Sequence, residues 1–176
     1  ASSPPVLRDP LASARRRLVF ALDVDSPEEA RDLVSLLEGE VGTFKVGKQL
    51  FVRAGPEIVR WIVARGGDVF LDLKFHDIPN TVAKAVASAV RLDVQMLTIH
   101  ASGGSEMMRA AEKSAQETAA ALGIETPLVL GVTVLTSMDE ATLHELGIQN
   151  GVAAQVERLA RLAAAAGLRG LVCSPL

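Results

Sequence analysis

The chain has very few cysteines: Cys173 is the only one in 176 residues, which excludes a disulfide within the chain. A lone thiol fits a reducing compartment, so we expect a cytoplasmic protein in which Cys173 is a buried apolar residue. The sequence also lacks an apolar run near the roughly 18 residues that span a bilayer. It has no Cys and His cluster with metal-ligand spacing. We therefore expect no membrane partner and no metal site.

A stripe of basic residues is also missing. The 18 Lys and Arg residues are mixed with 21 Asp and Glu residues, and the formal net charge is -3. Because proteins that follow a phosphate backbone cluster their basic residues, we expect no nucleic-acid partner. Hydrophobic residues make up 49% of the chain, which is enough for one core at this length. Residues 1–17, rich in Ser, Pro and Arg, are predicted to form a flexible extension before one domain over residues 18–176.

From residue 18 onward, short runs rich in Val, Leu and Ile alternate with longer segments of helical period. This pattern predicts an α/β protein with a parallel sheet and right-handed crossovers. Six strands are predicted, over residues 18–24, 44–50, 68–75, 96–101, 128–135 and 168–174. An open doubly wound sheet and a TIM (β/α)8 barrel both fit this order. Charged residues near the C-terminal ends of several strands favour the barrel, whose active sites assemble at those ends.

The charged residues lie on three of the predicted strands. Asp23 lies near the end of the first, Lys45 lies on the second, and Asp72 and Lys74 lie near the end of the third. Alternation along a strand places Asp72 and Lys74 on the same face. Charges in so apolar a strand are costly unless they are paired. We therefore interpret these four residues as catalytic or substrate-binding.

Residues 72–81, with the sequence DLKFHDIPNT, resemble the signature of the orotidine 5'-monophosphate decarboxylase family. Segments 21–24, 45–47, 100–104 and 132–137 resemble the family as well, in the same order. The resemblance implies a TIM (β/α)8 barrel that converts orotidine 5'-monophosphate to uridine 5'-monophosphate in de novo pyrimidine synthesis. It also implies a homodimer with shared active sites and no cofactor.

The resemblance implies a role for each charged residue. Asp23 would contact the ribose hydroxyls, and Lys45 would hydrogen-bond both the ribose and Asp72. Asp72 would lie beside the substrate carboxylate, and Lys74 would donate the proton that replaces CO2.

Four further site residues follow from the same resemblance. Asp77 would act in the active site of the neighbouring subunit, where Ile78 and Thr81 would line the pocket and contact the ribose. The hydroxyl of Thr136 would meet the edge of the pyrimidine.

Two other functions remain open from the sequence. Related sugar-phosphate enzymes share the Asp-x-Lys-x-x-Asp pattern but use Mg2+ to hold an enediolate. The continuation through residues 78–81 argues against them. A barrel that only dimerises or binds nucleotides is the non-enzymatic alternative.

The sequence ends at Leu176, just after the sixth predicted strand. We expect the last two βα units of the barrel, with the family's phosphate-binding loop and arginine, to be absent from it. A barrel without them would expose strand edges, so we expect a fragment, or otherwise an impaired enzyme.

Overall fold

The structure is a computed structural model that describes residues 10–174. The chain divides after Phe70 into two compact units, and the boundary falls inside a strand. Residues 1–9 of the predicted extension lie outside the described residues, so their flexibility stays a prediction. Within residues 10–174, no helix has both the length and the apolar character needed to cross a membrane.

The first unit contains two parallel strands and four helices. Strand β1 (Val19–Ala21) pairs in parallel with β2 (Thr43–Gly47), with Val19 opposite Thr43. The helices are α1 (Pro10–Arg15), α2 (Pro27–Leu37), α3 (Lys48–Ala54) and α4 (Glu57–Ala64), and strand β3 (Asp68–Phe75) begins in this unit. The helices and strands bury an apolar core made of Leu22, Ala30, Val34, Phe44, Val46, Leu50, Ile58, Val59 and Ile62.

Helix α2 begins at a serine cap followed by a proline. The Glu29 N–H donates to the Ser26 hydroxyl at 3.1 Å, and Pro27 occupies the first helical turn. The serine satisfies a backbone donor that has no partner inside the helix, and the proline already has a helical φ. These local signals fix the point at which the chain leaves the loop after β1.

The second unit contains most of β3 and three further strands, in the order β3-β4-β5-β6. The later strands are β4 (Met96–His100), β5 (Leu128–Val132) and β6 (Gly170–Val172), and β5 pairs in parallel with both β4 and β6. The helices are α5 (Pro79–Val90), α6 (Gly104–Leu122), α7 (Glu140–Glu145) and α8 (Val152–Ala165), with a short 3-10 helix (Ala101–Gly103) before α6.

Helix α6 is the central packing element of the second unit. It packs against both α5 and α8, and the Ser114 hydroxyl donates to the Ala83 carbonyl at 2.6 Å. Met107 and Met108 are fully buried at its start.

At the start of α7, the carboxylate of Asp139 accepts hydrogen bonds from the backbone N–H and the hydroxyl of Thr142. These two bonds, the backbone one most strongly, hold the pKa of Asp139 below its usual range.

The predicted parallel α/β arrangement is confirmed, and all six strands form where the sequence places them. Several are shorter than predicted. The second strand ends at Gly47 rather than at residue 50, because Lys48 begins α3 and Leu50 is buried from that helix. The fifth ends at Val132, and the chain then turns toward α7.

Candidate active site

Asp72 and Lys74 form a close ion pair near the end of β3. The Lys74 Nζ lies 2.9 Å from one carboxylate oxygen of Asp72 and 2.8 Å from the other. The Asp72 side chain is 14% exposed and the Lys74 side chain 25% exposed. Such limited contact with water strengthens the attraction, because few water molecules screen it. The pair therefore presents a held ammonium at the carboxyl end of a parallel strand.

Lys74 has an unusual backbone conformation. Its φ is +51°, in the left-handed region, although it is the seventh residue of β3. For a residue with a Cβ this region costs roughly 1–2 kcal/mol. Regular strand alternation up to Phe75 does not predict this left-handed residue. The two charged side chains do meet as predicted, but the backbone at Lys74 is not extended.

Thr98 joins both members of the pair to the neighbouring strand β4. The Lys74 backbone N–H donates to the Thr98 hydroxyl oxygen at 2.9 Å, and that hydroxyl donates to Asp72 Oδ1, also at 2.9 Å. Thr98 is completely buried. Thr98 is not among the predicted site residues, because threonine is common in buried strands and residues 96–100 contain no Asp, Glu, Lys or Arg. The one feature that could have indicated Thr98 is its place on the strand that follows the charged strand β3.

The loop after β3 exposes Asp77 and Ile78, and the first turn of the following helix exposes Thr81. The Ile78 N–H donates to the Asp77 carboxylate at 2.6 Å, and Ile78 is 66% exposed. Pro79 then starts α5, in which Thr81 is also exposed. Among the described residues, Asp77 forms no hydrogen bond or ion pair with Lys74. Within one chain, the structure thus places these three residues on a surface, apart from the paired charges.

Asp23 and Lys45 form a second ion pair, located in the first unit. The Lys45 Nζ lies 3.0 Å from Asp23 Oδ1, and the Asp23 side chain is 67% exposed. Two residues of α3 hold the loop that follows Asp23: the Gln49 side-chain amide donates to the Asp25 carboxylate, and the Arg53 guanidinium donates to the Asp25 carbonyl, both at 2.7 Å. In this arrangement the Asp23 side chain is paired with Lys45 but stays mostly exposed.

Thr136 lies in the exposed turn after β5, before Asp139 caps α7. Nearby in the second unit, the rings of His76 and His100 lie 5.4 Å apart and border a cavity of about 170 Å3. Thr136 is not among the residues that line this cavity. Within residues 10–174, no three or more His, Cys, Asp or Glu side chains are grouped closely enough to hold a metal ion.

Comparisons with known proteins place these residues in a family. The model of the family described as orotidine 5'-phosphate decarboxylase / HUMPS matches residues 16–176. The orotidine 5'-phosphate decarboxylase of Syntrophotalea carbinolica is 56% identical over 165 residues, which cover 94% of this chain and 68% of that protein. The enzyme of the same name from Opitutus terrae is 52% identical over 159 residues, covering 90% of this chain and 67% of that protein.

Solved structures give the same result for the fold. Orotidine 5'-phosphate decarboxylase from Lactobacillus acidophilus superposes with a TM-score of 0.83 at 37% identity, covering 90% of this chain and 71% of that one. An uncharacterized conserved protein from Geobacillus kaustophilus gives a TM-score of 0.84 at 39% identity, covering 88% and 72%. The chain spans about two thirds of the length of its curated relatives. It belongs to the orotidine 5'-phosphate decarboxylase / HUMPS family, and the curated relatives named above carry the name of an enzyme.

Proposed function

We propose that this chain decarboxylates orotidine 5'-monophosphate to uridine 5'-monophosphate in pyrimidine biosynthesis, with Lys74 as the proton donor. The observation that carries the proposal is the ion pair of Lys74 with Asp72, held at the end of a parallel strand and largely withdrawn from water. Relatives that are 48–56% identical to the chain bear the name of this activity. The identity of these relatives supports the substrate, and the ion pair supports the mechanism.

The difficulty of the reaction explains why a charged lysine is needed. When CO2 leaves C6 of the orotate ring, the electron pair remains in an in-plane orbital that the π system of the ring cannot delocalise. Stabilisation must therefore come from a charge that is already in position when the bond breaks. The ammonium of Lys74 is such a charge, because the carboxylate of Asp72 holds it from two sides.

The proton balance follows from the same atom. The C6–CO2 bond breaks with both electrons left on C6, and CO2 departs. C6 then takes a proton from the Nζ of Lys74, which becomes a neutral amine until solvent protonates it again. One group thus supplies both electrostatic stabilisation and general acid catalysis.

Repulsion between Asp72 and the substrate carboxylate is a secondary contribution. Two like charges about 4 Å apart, at an effective dielectric constant near 20, repel by roughly 4 kcal/mol. Even complete release of that energy would accelerate the reaction only about a thousandfold. Decarboxylation by crowding alone is therefore insufficient, and we assign the larger part to stabilisation of the carbanion by Lys74.

We propose that Asp23 and Lys45 bind the ribose of the same substrate and that Lys45 also supports Asp72. This assignment rests on the sequence resemblance around both residues. It is supported by their own geometry, since Lys45 holds the carboxylate of Asp23 at 3.0 Å while leaving it mostly exposed. An exposed carboxylate with a fixed orientation is suited to accept hydrogen bonds from two ribose hydroxyls. Thr136 is assigned to the pyrimidine edge on the resemblance alone.

We further propose a homodimer of (β/α)8 barrels in which Asp77, Ile78 and Thr81 complete the active site of the partner subunit. Their position on the surface of one chain supports this assignment. An exposed isoleucine beside a carboxylate and a hydroxyl gives the apolar and polar contacts that a shared site needs. In this arrangement Asp77 would approach the Lys74 of the partner subunit.

One alternative function has a specific observation in its favour. The name of the matching family model includes HUMPS beside the decarboxylase, so family membership alone does not choose between its members. The alternative from the sequence is a Mg2+-dependent sugar-phosphate enzyme. The names and identities of the curated relatives favour the decarboxylase.

The deciding experiment is an assay of the purified full-length protein with orotidine 5'-monophosphate, with and without EDTA. We expect the substrate absorbance to fall and uridine 5'-monophosphate and CO2 to appear at a rate that EDTA does not change. Loss of activity in EDTA with recovery in Mg2+ would reject the metal-free mechanism. No turnover of orotidine 5'-monophosphate under either condition would reject the substrate.

A further inference from the structure

We propose that Thr98 is a positioning residue for the reacting lysine, a role that rests on the proposed function of the Asp72 and Lys74 pair. The hydroxyl of Thr98 accepts a hydrogen bond from the Lys74 backbone N–H and donates one to Asp72 Oδ1, each at 2.9 Å. One side chain from β4 is therefore bonded to both members of the ion pair on β3.

The bond to the Lys74 backbone acts on the strained part of the site. Lys74 has a φ of +51°, a conformation that a lysine seldom adopts without an external constraint. The acceptor at Thr98 gives the Lys74 N–H a partner in this conformation. Because the direction of a side chain follows its backbone, holding this peptide also directs the ammonium toward Asp72.

The bond to Asp72 acts on the carboxylate. The Lys74 ammonium contacts both oxygens of Asp72, and the Thr98 hydroxyl donates to one of them, Oδ1. A rotation of the carboxylate would break this bond, so Thr98 restrains the group that holds the ammonium. The hydroxyl is buried, where water competes little for either partner. Closed cycles of hydrogen bonds of this kind keep a reacting group within the narrow range of positions that catalysis needs.

Thr98→Val is the direct test, because valine keeps the shape of threonine and removes only the hydroxyl. We expect kcat for orotidine 5'-monophosphate to fall about 10- to 100-fold, the size expected for a small displacement of a reacting group, with little change in KM. Thr98→Ser should restore most of the loss, because serine keeps the hydroxyl. If Thr98→Val fails to fold, Thr98→Ala against Thr98→Ser gives the same comparison.

Thr133→Val is the matched control. Thr133 is also a buried threonine of the second unit, and its hydroxyl donates to the Val172 carbonyl at 3.0 Å. This variant loses a hydroxyl and a hydrogen bond of similar length near the neighbouring strand β5. We expect its kcat to stay within about twofold of wild type, because its hydroxyl is not bonded to the reacting lysine. An equal loss in the two valine variants would overturn the proposed role of Thr98, since it would indicate a general packing effect.

Amide hydrogen exchange separates this proposal from the proposed function. In Thr98→Val the Lys74 amide loses its acceptor, so we expect it to exchange at least about tenfold faster than in the wild type, with Thr98→Ser and Thr133→Val close to wild type. A wild-type protein that converts no orotidine 5'-monophosphate would reject the function, while this measurement would still test the hydrogen bond. Unchanged Lys74 exchange, or wild-type kcat in Thr98→Val, would overturn the role of Thr98.

Discussion

The Nζ of Lys74 lies within 3 Å of both carboxylate oxygens of Asp72, at 2.9 and 2.8 Å. This contact joins residues only two positions apart in the sequence, and the second of them, Lys74, has a left-handed backbone conformation. An ammonium held in this way is positioned before any substrate arrives. Electrostatic catalysis requires that property, because a group that must reorganise during the reaction loses part of its effect.

Asp72→Asn should reduce activity and stability together. The amide keeps the size of the side chain but removes the negative charge beside a largely buried ammonium. We expect kcat to fall at least about 100-fold, because the ammonium loses the group that orients it. Loss of a charged hydrogen-bonded contact should also lower the free energy of unfolding by about 2 kcal/mol. Enzyme assays and urea denaturation measure the two effects.

Glu117→Gln is the control for that variant. Glu117 pairs with Lys113 at 3.7 Å on the exposed face of α6. The substitution therefore removes a solvent-exposed ion pair. Such pairs contribute at most about 0.5 kcal/mol on a helix, and we expect unchanged kcat. If the two variants had similar effects on kcat, the special role of the Asp72 charge would be contradicted.

The strands and the pair of Asp72 and Lys74 could be predicted from the sequence. Apolar runs between helical segments determine the strands, and Asp72 and Lys74 stand out because charges are rare in so apolar a strand. Thr98 was missed because an uncharged threonine in a strand gives no signal until the strands are paired. The positive φ of Lys74 was missed because lysine is not a residue that marks this conformation.

One prediction from residue preference was wrong. Cys173 was expected to be buried, since free cysteines usually are, but it is exposed. It lies just past β6, a strand of only three residues, so the average preference for burial is overridden by its position at the strand end. The roles of all the predicted site residues stay predictions, because they concern a substrate or a partner subunit. These residues are Asp23, Lys45, Asp72, Lys74, Asp77, Ile78, Thr81 and Thr136.

Asp23→Ala should affect substrate binding more than stability. The side chain is mostly exposed, so its ion pair with Lys45 is well screened and adds at most about 1 kcal/mol to the free energy of unfolding. If Asp23 accepts hydrogen bonds from ribose hydroxyls, its loss should raise KM about tenfold or more. Steady-state kinetics measure KM, and thermal unfolding measures the change in stability. Asp32→Ala, on the exposed side of α2, is the control, and equal KM values in the two variants would argue against ribose binding.

Hybrid dimers should test the shared active site. Lys74→Ala and Asp77→Ala should each be nearly inactive alone, because every site in either dimer lacks one required group. After subunit exchange at equal concentrations, half of the dimers should be hybrids with one intact site, which gives about a quarter of wild-type activity. Activity in the mixture is measured after exchange is verified with labelled subunits. Verified exchange without recovery would contradict the assignment of Asp77 to the partner's site.

A buried carboxylate in the second unit should make two related substitutions unequal. Glu112 on α6 is 5% exposed, and its Oε1 accepts from the Gln116 amide at 2.9 Å and pairs with Arg169 Nε at 3.3 Å. Arg169→Met leaves this buried charge without its cation, so we expect a loss of about 3 kcal/mol of stability. Glu112→Leu removes the charge itself and should cost clearly less. Urea denaturation measures the free energy of unfolding of both variants. A larger loss in Glu112→Leu than in Arg169→Met would contradict the expected cost of the unpaired buried charge.

The most direct test of the central claim is kcat for orotidine 5'-monophosphate in Lys74→Met, compared with wild type and with Lys84→Met. Methionine keeps most of the length of lysine and removes the ammonium, while Lys84 is exposed on α5. If Lys74 donates the proton, kcat of Lys74→Met should fall at least about 100-fold, the usual lower range for loss of a general acid. Lys84→Met should match wild type. A folded Lys74→Met protein with near wild-type kcat would contradict the assignment of Lys74 as the proton donor.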